Sequence, residues 1–258
     1  MQKFEKYHGT GNDFVMIDDR DMSFPANAKD YIAHICTRRF GVGADGLILL
    51  QLAEGYDFRM VYFNADGSES TMCGNGGRCT VRYAADLGLI DAECNFIAID
   101  GPHRGKVLDD GTISIQMKDV EGITGSGADS VLNTGSPHYV RLVERVDQID
   151  VDKLGAEIRY SDTFKAEGIN VNFVQDCGEY IKVATYERGV EAETYSCGTG
   201  VVACALALAS DHSHTREIMT KGGKLAVSYV KTQMGYTDIW LTGPATRVYD
   251  GSIALTQG

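Results

Sequence analysis

The sequence has few prolines, no long apolar runs and no clusters of basic residues. Its four prolines in 258 residues are too few for a disordered chain, and no stretch has the length of a membrane span. A formal net charge of -12 argues against binding to nucleic acid, which requires clustered lysine and arginine. The first residues contain no apolar signal core, and the count of seven cysteines is odd. We therefore expect a globular cytoplasmic protein with reduced thiols and no nucleic-acid or membrane partner.

Glycine, by contrast, is abundant, and two glycine-rich segments repeat. Cys73 begins the sequence Cys-Gly-Asn-Gly, and Cys197 begins Cys-Gly-Thr-Gly 124 residues later. A glutamate lies four positions before each cysteine, at Glu69 and at Glu193. The same offset relates residues 10–12 to 134–136, 46–50 to 170–174, and Tyr62 to Tyr186. The sequence therefore predicts two copies of one unit, each of an ordinary domain size.

The hydrophobic pattern predicts the same order of elements in both copies. In the first we expect strands near 14–18, 47–52 and 58–63 and helices at 29–40 and 79–87. In the second, strands near 139–143, 171–175 and 181–186 precede a helix at 201–209 that is apolar on every face. Such a helix must be buried on all sides. The predicted fold is therefore α+β, with two pseudo-symmetric halves that are each an antiparallel-rich β-barrel or roll around a central α-helix.

Each repeated cysteine is predicted to lie at the start of a helix, close to unpaired backbone N–H groups and to the positive end of the helix dipole. Both features favour the thiolate. Two such thiols could invert a stereocentre, because one removes the α-proton and the other returns a proton to the opposite face. Helix N–H donors would stabilise the carbanion, so that neither an iminium-forming lysine nor a metal is required. The other cysteines, Cys36, Cys79, Cys94, Cys177 and Cys204, lack this setting and are predicted to be buried or incidental.

Several motifs together resemble the diaminopimelate epimerase family over essentially the whole chain. They are His8-Gly-Thr-Gly-Asn-Asp-Phe-Val, Phe63-Asn-Ala-Asp-Gly-Ser-Glu, Met72-Cys-Gly-Asn-Gly-Gly-Arg-Cys, Gly135-Ser-Pro-His, Glu187-Arg-Gly and Ser196-Cys-Gly-Thr-Gly. The resemblance implies a cofactor-independent epimerase that interconverts LL- and meso-2,6-diaminopimelate, a step toward lysine and, in many bacteria, cell-wall peptide. It also implies that the final strand returns to the first half. The predicted domains are then 1–119 plus 244–258, which carry Cys73, and 120–243, which carry Cys197.

The resemblance assigns roles to individual residues. Cys197 would take the proton from the LL isomer and Cys73 would return one, with His138 and Glu187 bordering the thiols. Positions that match the family's substrate contacts are Asn12, Asn64, Gly74, Asn75, Asn170, Glu187, Arg188, Gly198 and Thr199. A guanidinium such as that of Arg188 can bind the distal carboxylate of the substrate through two parallel hydrogen bonds. The resemblance implies no metal and is compatible with a homodimer.

The chain departs from the family pattern at three places. Many family members have Gln where this chain has Gly46, and Asn where it has Ser136. The loop from Glu187 to Cys197 is one residue longer than the common form. The two substitutions remove amide side chains that could contact a substrate, although water or neighbouring groups can replace such contacts.

Other functions stay open from the residues alone. A two-thiol racemase of another amino acid, of the histidine or proline type, would share the chemistry without needing Arg188. Residues 41–46 match G-x-G-x-x-G, but a predicted helix precedes them and a strand follows, the reverse of the order in dinucleotide-binding folds. A zinc or redox protein is disfavoured because the sequence has no C-x-x-C. A non-catalytic binding module on the same fold would tolerate the loss of either repeated thiol.

Overall fold

The chain folds into two compact units, Met1–Ile115 with Gly243–Gly258, and Gln116–Thr242. The structure is a computed structural model and describes residues 1–126, 128–209 and 213–254. Of the predicted halves, residues 127, 210–212 and 255–258 lie outside the described residues. The boundaries at 119 and 244 stay a prediction about domains. In the described ranges, no helix is both long enough and apolar enough to cross a membrane.

The first unit is a mixed, mostly antiparallel sheet with two helices. Its strands are β1 (Gln2–Gly9), β2 (Asn12–Asp18), β3 (Gly46–Ala53), β4 (Tyr56–Asn64), β5 (Glu69–Ser70), β6 (Glu93–Ala98), β7 (Gly101–Val107), β8 (Ile113–Gln116) and β18 (Thr246–Ile253), and its helices are α1 (Lys29–Cys36) and α2 (Gly74–Asp86). β2 is parallel to β3, and β4 is parallel to β6. The remaining pairs are antiparallel, including the pair of β1 with the last strand, β18.

The second unit repeats this topology. Its strands are β9 (Thr124–Ser126), β10 (Asp129–Asn133), β11 (Pro137–Leu142), β12 (Asn170–Asp176), β13 (Tyr180–Glu187), β14 (Ala192–Thr194), β15 (Ser213–Thr220), β16 (Gly223–Thr232) and β17 (Gly235–Gly243), and its helices are α3 (Val151–Arg159), α4 (Gly198–Ala207) and a 3-10 turn at Val146–Gln148. β11 is parallel to β12 and β13 is parallel to β15, as β2 is to β3 and β4 is to β6. The predicted α+β class with two pseudo-symmetric halves is confirmed.

One helix in each unit is covered by the strands of that unit. α2 packs against β1, β2, β3, β4 and β7, and α4 packs against β10 to β13, β15 and β16. In α4 every described residue from Val201 to Leu206 is buried, as its uniformly apolar sequence predicts. Both helices begin earlier than predicted. The first turns contain glycines of low helix propensity, so that the hydrophobic pattern does not indicate them as helix. α1 ends at Cys36 rather than at Phe40, since Thr37 has an extended backbone with ψ 115°.

The offset of 124 residues changes by one at β13. β3 aligns Ile48 with Tyr62 on β4, whereas β12 aligns Asn172 with Thr185 on β13. Thr185 is therefore the structural counterpart of Tyr62, and the predicted match of Tyr62 with Tyr186 is wrong. The extra residue in the loop after β13 restores the offset, because Glu69 and Glu193 again occupy equivalent positions on β5 and β14.

The strand β12 is buried on both faces because a helix covers each side. Val171 and Phe173 pack toward α3 in an apolar cluster that includes Tyr186, while Asn172 contacts the opposite helix, α4. Gly155 lets α3 approach β13 closely: a Cβ built there would lie 2.4 Å from Cβ and 2.5 Å from Cγ of Tyr186. The backbone of α3 therefore lies directly on the sheet.

We expect Gly155→Ala to destabilise the protein by about 1–3 kcal/mol, because the added methyl group forces α3 away from Tyr186. In a solvent-exposed helix the same change would stabilise by reducing the entropy of the unfolded chain. Urea unfolding followed by circular dichroism measures the difference. The exposed neighbour Glu157→Ala is the matched control and should stay within about 0.5 kcal/mol of the wild type. Equal unfolding free energies for Gly155→Ala and wild type would contradict the packing argument.

Candidate functional site

Cys73 lies at the residue immediately before α2, in extended conformation with φ -94° and ψ 133°. Its carbonyl accepts the first helical hydrogen bond, from the backbone N–H of Gly77 at 2.7 Å. Gly74 and Asn75 follow in the first turn and are buried. A helix start of this kind leaves N–H groups that can bind an anion. The sulfur, the predicted contact Gly74 and a set of amide donors therefore meet at one end of α2.

Two amide side chains connect Cys73 to the sheet. The thiol of Cys73 donates to Oδ1 of Asn12 at 3.7 Å, and Nδ2 of Asn75 donates to the same oxygen at 3.3 Å. Nδ2 of Asn12 donates to the carboxylate of Asp45 at 2.7 Å. Because a carboxylate accepts only, this bond fixes the orientation of the Asn12 amide and points its oxygen at the sulfur. The structure thus brings Asn12 and Asn75 together with Cys73, and adds Asp45.

Arg78 is fully buried behind this loop. Its guanidinium donates to Oδ1 of Asn75 at 2.9 Å and to Oγ1 of Thr10 at 3.2 Å. Burial lowers the pKa of Arg78 to about 10, so that the group is still a cation at neutral pH. The bond to Oδ1 leaves the N–H side of the Asn75 amide directed toward the site. Arg78 is part of the motif from Met72 to Cys79, but the sequence analysis assigns no role to it.

Cys197 occupies the equivalent position before α4, with φ -106° and ψ 113°. Its carbonyl accepts from the N–H of Val201 at 3.0 Å, and its Sγ lies 3.5 Å from Oγ1 of Thr199. Gly198 is the first residue of the helix and is buried. Thr134 donates its hydroxyl to the carbonyl of Thr199 at 2.9 Å and so holds this first turn against the loop before β11. Thr199 is therefore a direct neighbour of the thiol.

His138 on β11 is fully buried and hydrogen-bonded on both ring nitrogens. Nε2 lies 2.9 Å from Oγ1 of Thr199 and 3.0 Å from Oγ of Ser136, and Nδ1 lies 3.1 Å from Nδ2 of Asn172. Burial, with a smaller contribution from the positive charge of Arg188, lowers the pKa of His138 to about 3. The imidazole is therefore neutral at physiological pH. Oγ1 of Thr199 lies between this imidazole and the sulfur of Cys197.

The predicted residues Asn170, Glu187 and Arg188 lie at neighbouring strand ends. Oδ1 of Asn170 accepts the backbone N–H of Arg188 at 2.9 Å, and its Nδ2 donates to Oγ of Ser136 at 3.1 Å. Glu187 is the last residue of β13. The guanidinium of Arg188 is exposed and uses one N–H to donate to the carbonyl of Glu167 at 2.9 Å. The end of β13 therefore carries a carboxylate and an anchored guanidinium side by side.

The structure shows the surroundings of Gly46 and Ser136, the two positions at which the sequence differs from the common family pattern. A Cβ at Gly46 would lie 2.5 Å from Cε2 of Tyr62 and 2.6 Å from the carbonyl oxygen of Phe63, so that the Tyr62 ring fills the space of a side chain. Ser136 is part of the hydrogen-bonded group around His138. Asn64 ends β4, opposite Gly46, and its side chain is exposed. It occupies the place that Glu187 has in the second unit.

Four of the five remaining cysteines are buried in apolar surroundings. Burial raises the pKa of Cys36, Cys79 and Cys94 to about 12, and raises that of Cys204 well above its ordinary value. These four thiols are protonated and cannot act as bases at neutral pH. Cys177 is half-buried in the turn after β12. The structure thus places Cys73 and Cys197 alone among the cysteines at helix starts.

The sequence matches a family model described as diaminopimelate epimerase over residues 4–123 and 130–248. It is 48% identical to a protein named diaminopimelate epimerase from Flavobacterium psychrophilum, covering 97% of this chain and 100% of that protein. It is 36% identical to a protein of the same name from Aquifex aeolicus, covering 98% of each chain. Both matches extend over nearly the full length.

Solved structures of low sequence identity share the fold. A phenazine biosynthesis protein of the PhzF family from Bacillus anthracis aligns with a TM-score of 0.75 at 14% identity, over 98% of this chain and 99% of that chain. A probable proline racemase from Agrobacterium radiobacter aligns with a TM-score of 0.67 at 13% identity, over 99% and 94%. At these identities the likeness concerns the fold alone.

We expect His138 to make the protein more sensitive to acid. The unfolded histidine titrates near pH 6.5 and the folded one near 3, so that its contribution to stability is complete above about pH 6.5 and is lost as pH falls toward 3. In His138→Gln the free energy of unfolding should fall less steeply with decreasing pH, by up to about 1.4 kcal/mol per pH unit. Urea titrations between about pH 5 and pH 7 compare the two slopes. Parallel slopes would show that His138 is not held neutral.

Proposed function

Because the chain belongs to the diaminopimelate epimerase family, we propose that it interconverts LL- and meso-2,6-diaminopimelate by proton transfer between Cys73, Cys197 and the α-carbon, without a cofactor. The protein is an isomerase of the diaminopimelate epimerase type. The observation that carries the proposed mechanism is the equivalent position of the two thiols, each immediately before the central helix of its own unit. A role in lysine formation and a cytoplasmic location belong to the same proposal.

The reaction requires one base and one acid. Starting from the LL isomer, the thiolate of Cys197 removes the α-proton and becomes a thiol, and the electron pair stays on the α-carbon. The thiol of Cys73 then delivers its proton to the opposite face of that carbon and becomes a thiolate. Before the next LL molecule reacts, Cys197 loses its proton to solvent and Cys73 gains one from it, so that no acid, base or oxidant is consumed overall.

The carbanion is the difficult intermediate, because the α-proton of an amino acid is a very weak acid. Stabilisation would come from N–H donors aimed at the α-carboxylate, where negative charge develops. The first turns of α2 and α4 supply such donors at Gly74 and Gly198, and the Asn75 amide is oriented by Arg78. These groups are buried and fixed before substrate binds, so that little reorganisation accompanies the reaction.

The distal end of the substrate carries a second carboxylate. Arg188 is exposed, and its backbone N–H and one guanidinium N–H are anchored to Asn170 and to the carbonyl of Glu167. A guanidinium has five N–H donors, so that enough are left for a bidentate bond to a carboxylate. Glu187, the preceding residue, has the charge needed to attract the substrate ammonium. The pair thus fits a diamino dicarboxylate better than a small neutral amino acid.

Cys73→Ala and Cys197→Ala should each lower epimerisation at least about 100-fold, since each variant lacks one of the two proton-transfer groups. The assay follows the exchange of the α-proton with D2O by NMR, from LL- and from meso-diaminopimelate, in reducing buffer after dialysis against a chelator. Cys177→Ala, a half-buried cysteine outside both helix starts, is the matched control and should keep the wild-type rate.

Two outcomes of this assay separate the parts of the proposal. Exchange into proline or histidine but not into diaminopimelate would contradict the substrate and leave the two-thiol chemistry standing. Wild-type epimerisation by either alanine variant would contradict the chemistry itself and favour a binding module or another mechanism.

Arg188→Met should raise KM for diaminopimelate by at least about tenfold, because a charge-assisted bidentate contact is lost. It should also reduce the preference of the enzyme for diaminopimelate over lysine, which lacks the second carboxylate. Steady-state kinetics with both amino acids measure the two effects. Arg145→Met, an exposed arginine paired with Asp147 in the same unit, is the control and should change neither value. An unchanged preference in Arg188→Met would place the distal carboxylate elsewhere.

A further inference from the structure

The second unit contains a chain of buried polar side chains behind Cys197. Thr185 on β13 contacts Asn172 on β12, Asn172 contacts His138 on β11, and His138 contacts Thr199 beside the thiol. His138, Asn172 and Thr185 are each at most 3% exposed. Buried polar groups are costly unless their bonds are all made. Such a group behind a thiol therefore requires an explanation.

The first unit shows that the fold does not need this chain. The equivalent positions hold Phe14, Ile48 and Tyr62, where Phe14 and Tyr62 make an edge-to-face ring contact at 5.9 Å between centroids. The helix above them packs by apolar contact, since a Cβ at Gly76 would meet Ile48, Met60 and Phe14. The same topology is thus stable with apolar and aromatic side chains. The polar set in the second unit serves the site rather than the fold.

The orientation of the Asn172 amide is fixed by its neighbours. Nδ2 lies 2.9 Å from the carbonyl oxygen of Tyr139, which can only accept. The flipped amide would place two oxygens against each other, so that Nδ2 is the atom on that side. Oδ1 accepts the hydroxyl of Thr185 at 2.8 Å. Gly200 leaves room for this amide, because a Cβ there would lie 2.5 Å from Oδ1 of Asn172.

This orientation determines the tautomer of His138. Nδ2 of Asn172 is a donor and lies 3.1 Å from Nδ1, so that Nδ1 accepts. A neutral imidazole with an accepting Nδ1 carries its hydrogen on Nε2. Nε2–H then donates to the hydroxyl pair formed by Thr199, at 2.9 Å, and Ser136, at 3.0 Å. The Thr199 hydroxyl, 3.3 Å from Oγ of Ser136, can donate its hydrogen to the sulfur of Cys197, 3.5 Å away.

We infer that Asn172, held by Thr185 and by the Tyr139 carbonyl, is a positioning residue that keeps His138 as an Nε2–H donor, and that the resulting chain of donors ends on Cys197 and stabilises its thiolate. His138 therefore acts as a hydrogen-bond donor and not as a base toward the thiol. The inference rests on the proposed function in one respect only, namely that Cys197 acts as a base.

The tautomer is measured without any substrate. In protein labelled with 15N at its six histidines, nitrogens with and without a hydrogen resonate in separate ranges, and His138→Gln identifies the signals of His138. We expect a hydrogen on Nε2 and none on Nδ1 between about pH 5 and pH 8. In Asn172→Asp, which presents an acceptor to the ring, the hydrogen should appear on Nδ1. A wild-type hydrogen on Nδ1, or an Asn172→Asp spectrum equal to wild type, would overturn the inference.

Kinetics test the consequence for Cys197. Asn172→Leu and Asn172→Asp should lower kcat by about tenfold to a hundredfold with KM changed less than about threefold, because proton transfer and not binding is affected. Thr185→Val, which removes only the outer bond, should lower kcat in the same direction by less and covers the case in which Asn172→Leu does not fold. Asn95→Asp, the same change at an exposed position of the first unit, is the control.

The NMR and the kinetic experiments together distinguish a failure of this inference from a failure of the proposed function. If the wild type exchanges no α-proton with diaminopimelate, the substrate proposal fails while the NMR result still decides the tautomer. A wild-type kcat in both Asn172 variants, with correct circular dichroism and active wild type, would overturn the positioning role.

Discussion

In each unit, the position of the repeated cysteine follows from the burial of one helix. α4 is apolar on all faces and α2 is buried from Gly74 to Val81, and both helices are enclosed by the strands of their own unit. An enclosed helix still has unpaired N–H groups at its start. Such groups can bind an anion, and the residue before each helix is a cysteine. In each unit the thiol therefore lies at a helix start, where the enclosed helix presents backbone N–H groups.

The repeat makes the two units topologically equal, but their chemistry differs at equivalent positions. Phe14, Ile48 and Tyr62 in one unit correspond to His138, Asn172 and Thr185 in the other. The apolar set packs as a core. In the polar set each side chain is hydrogen-bonded to the next, and these bonds offset the cost of removing the polar groups from water. The shared topology thus places a cysteine at a helix start in both units. The side chains behind the two cysteines differ, being apolar or aromatic in the first unit and polar in the second.

The repeated cysteines, the class of fold and most strands could be predicted from the sequence, because an offset of 124 residues and alternating apolar positions are visible in one dimension. The hydrophobic pattern alone places the start of α2 at residue 79 rather than at Gly74, since glycine disfavours helices and packing against the strands makes the first turn helical. Asn172 was missed for a different reason: in sequence it lies within a buried apolar strand. Its signal was available by comparing the repeats, where Asn172 stands against Ile48.

The partners of the two sulfurs have opposite character. Oδ1 of Asn12 is an acceptor, because its amide nitrogen is committed to Asp45, and it receives the thiol hydrogen of Cys73. With the inferred tautomer of His138, Thr199 next to Cys197 receives a hydrogen from the imidazole and can donate its own to the sulfur. An acceptor favours a thiol and a donor favours a thiolate. The proposed mechanism uses both forms, one to remove the proton and one to supply it, and we expect this asymmetry between the two loops to favour the thiol at Cys73 and the thiolate at Cys197.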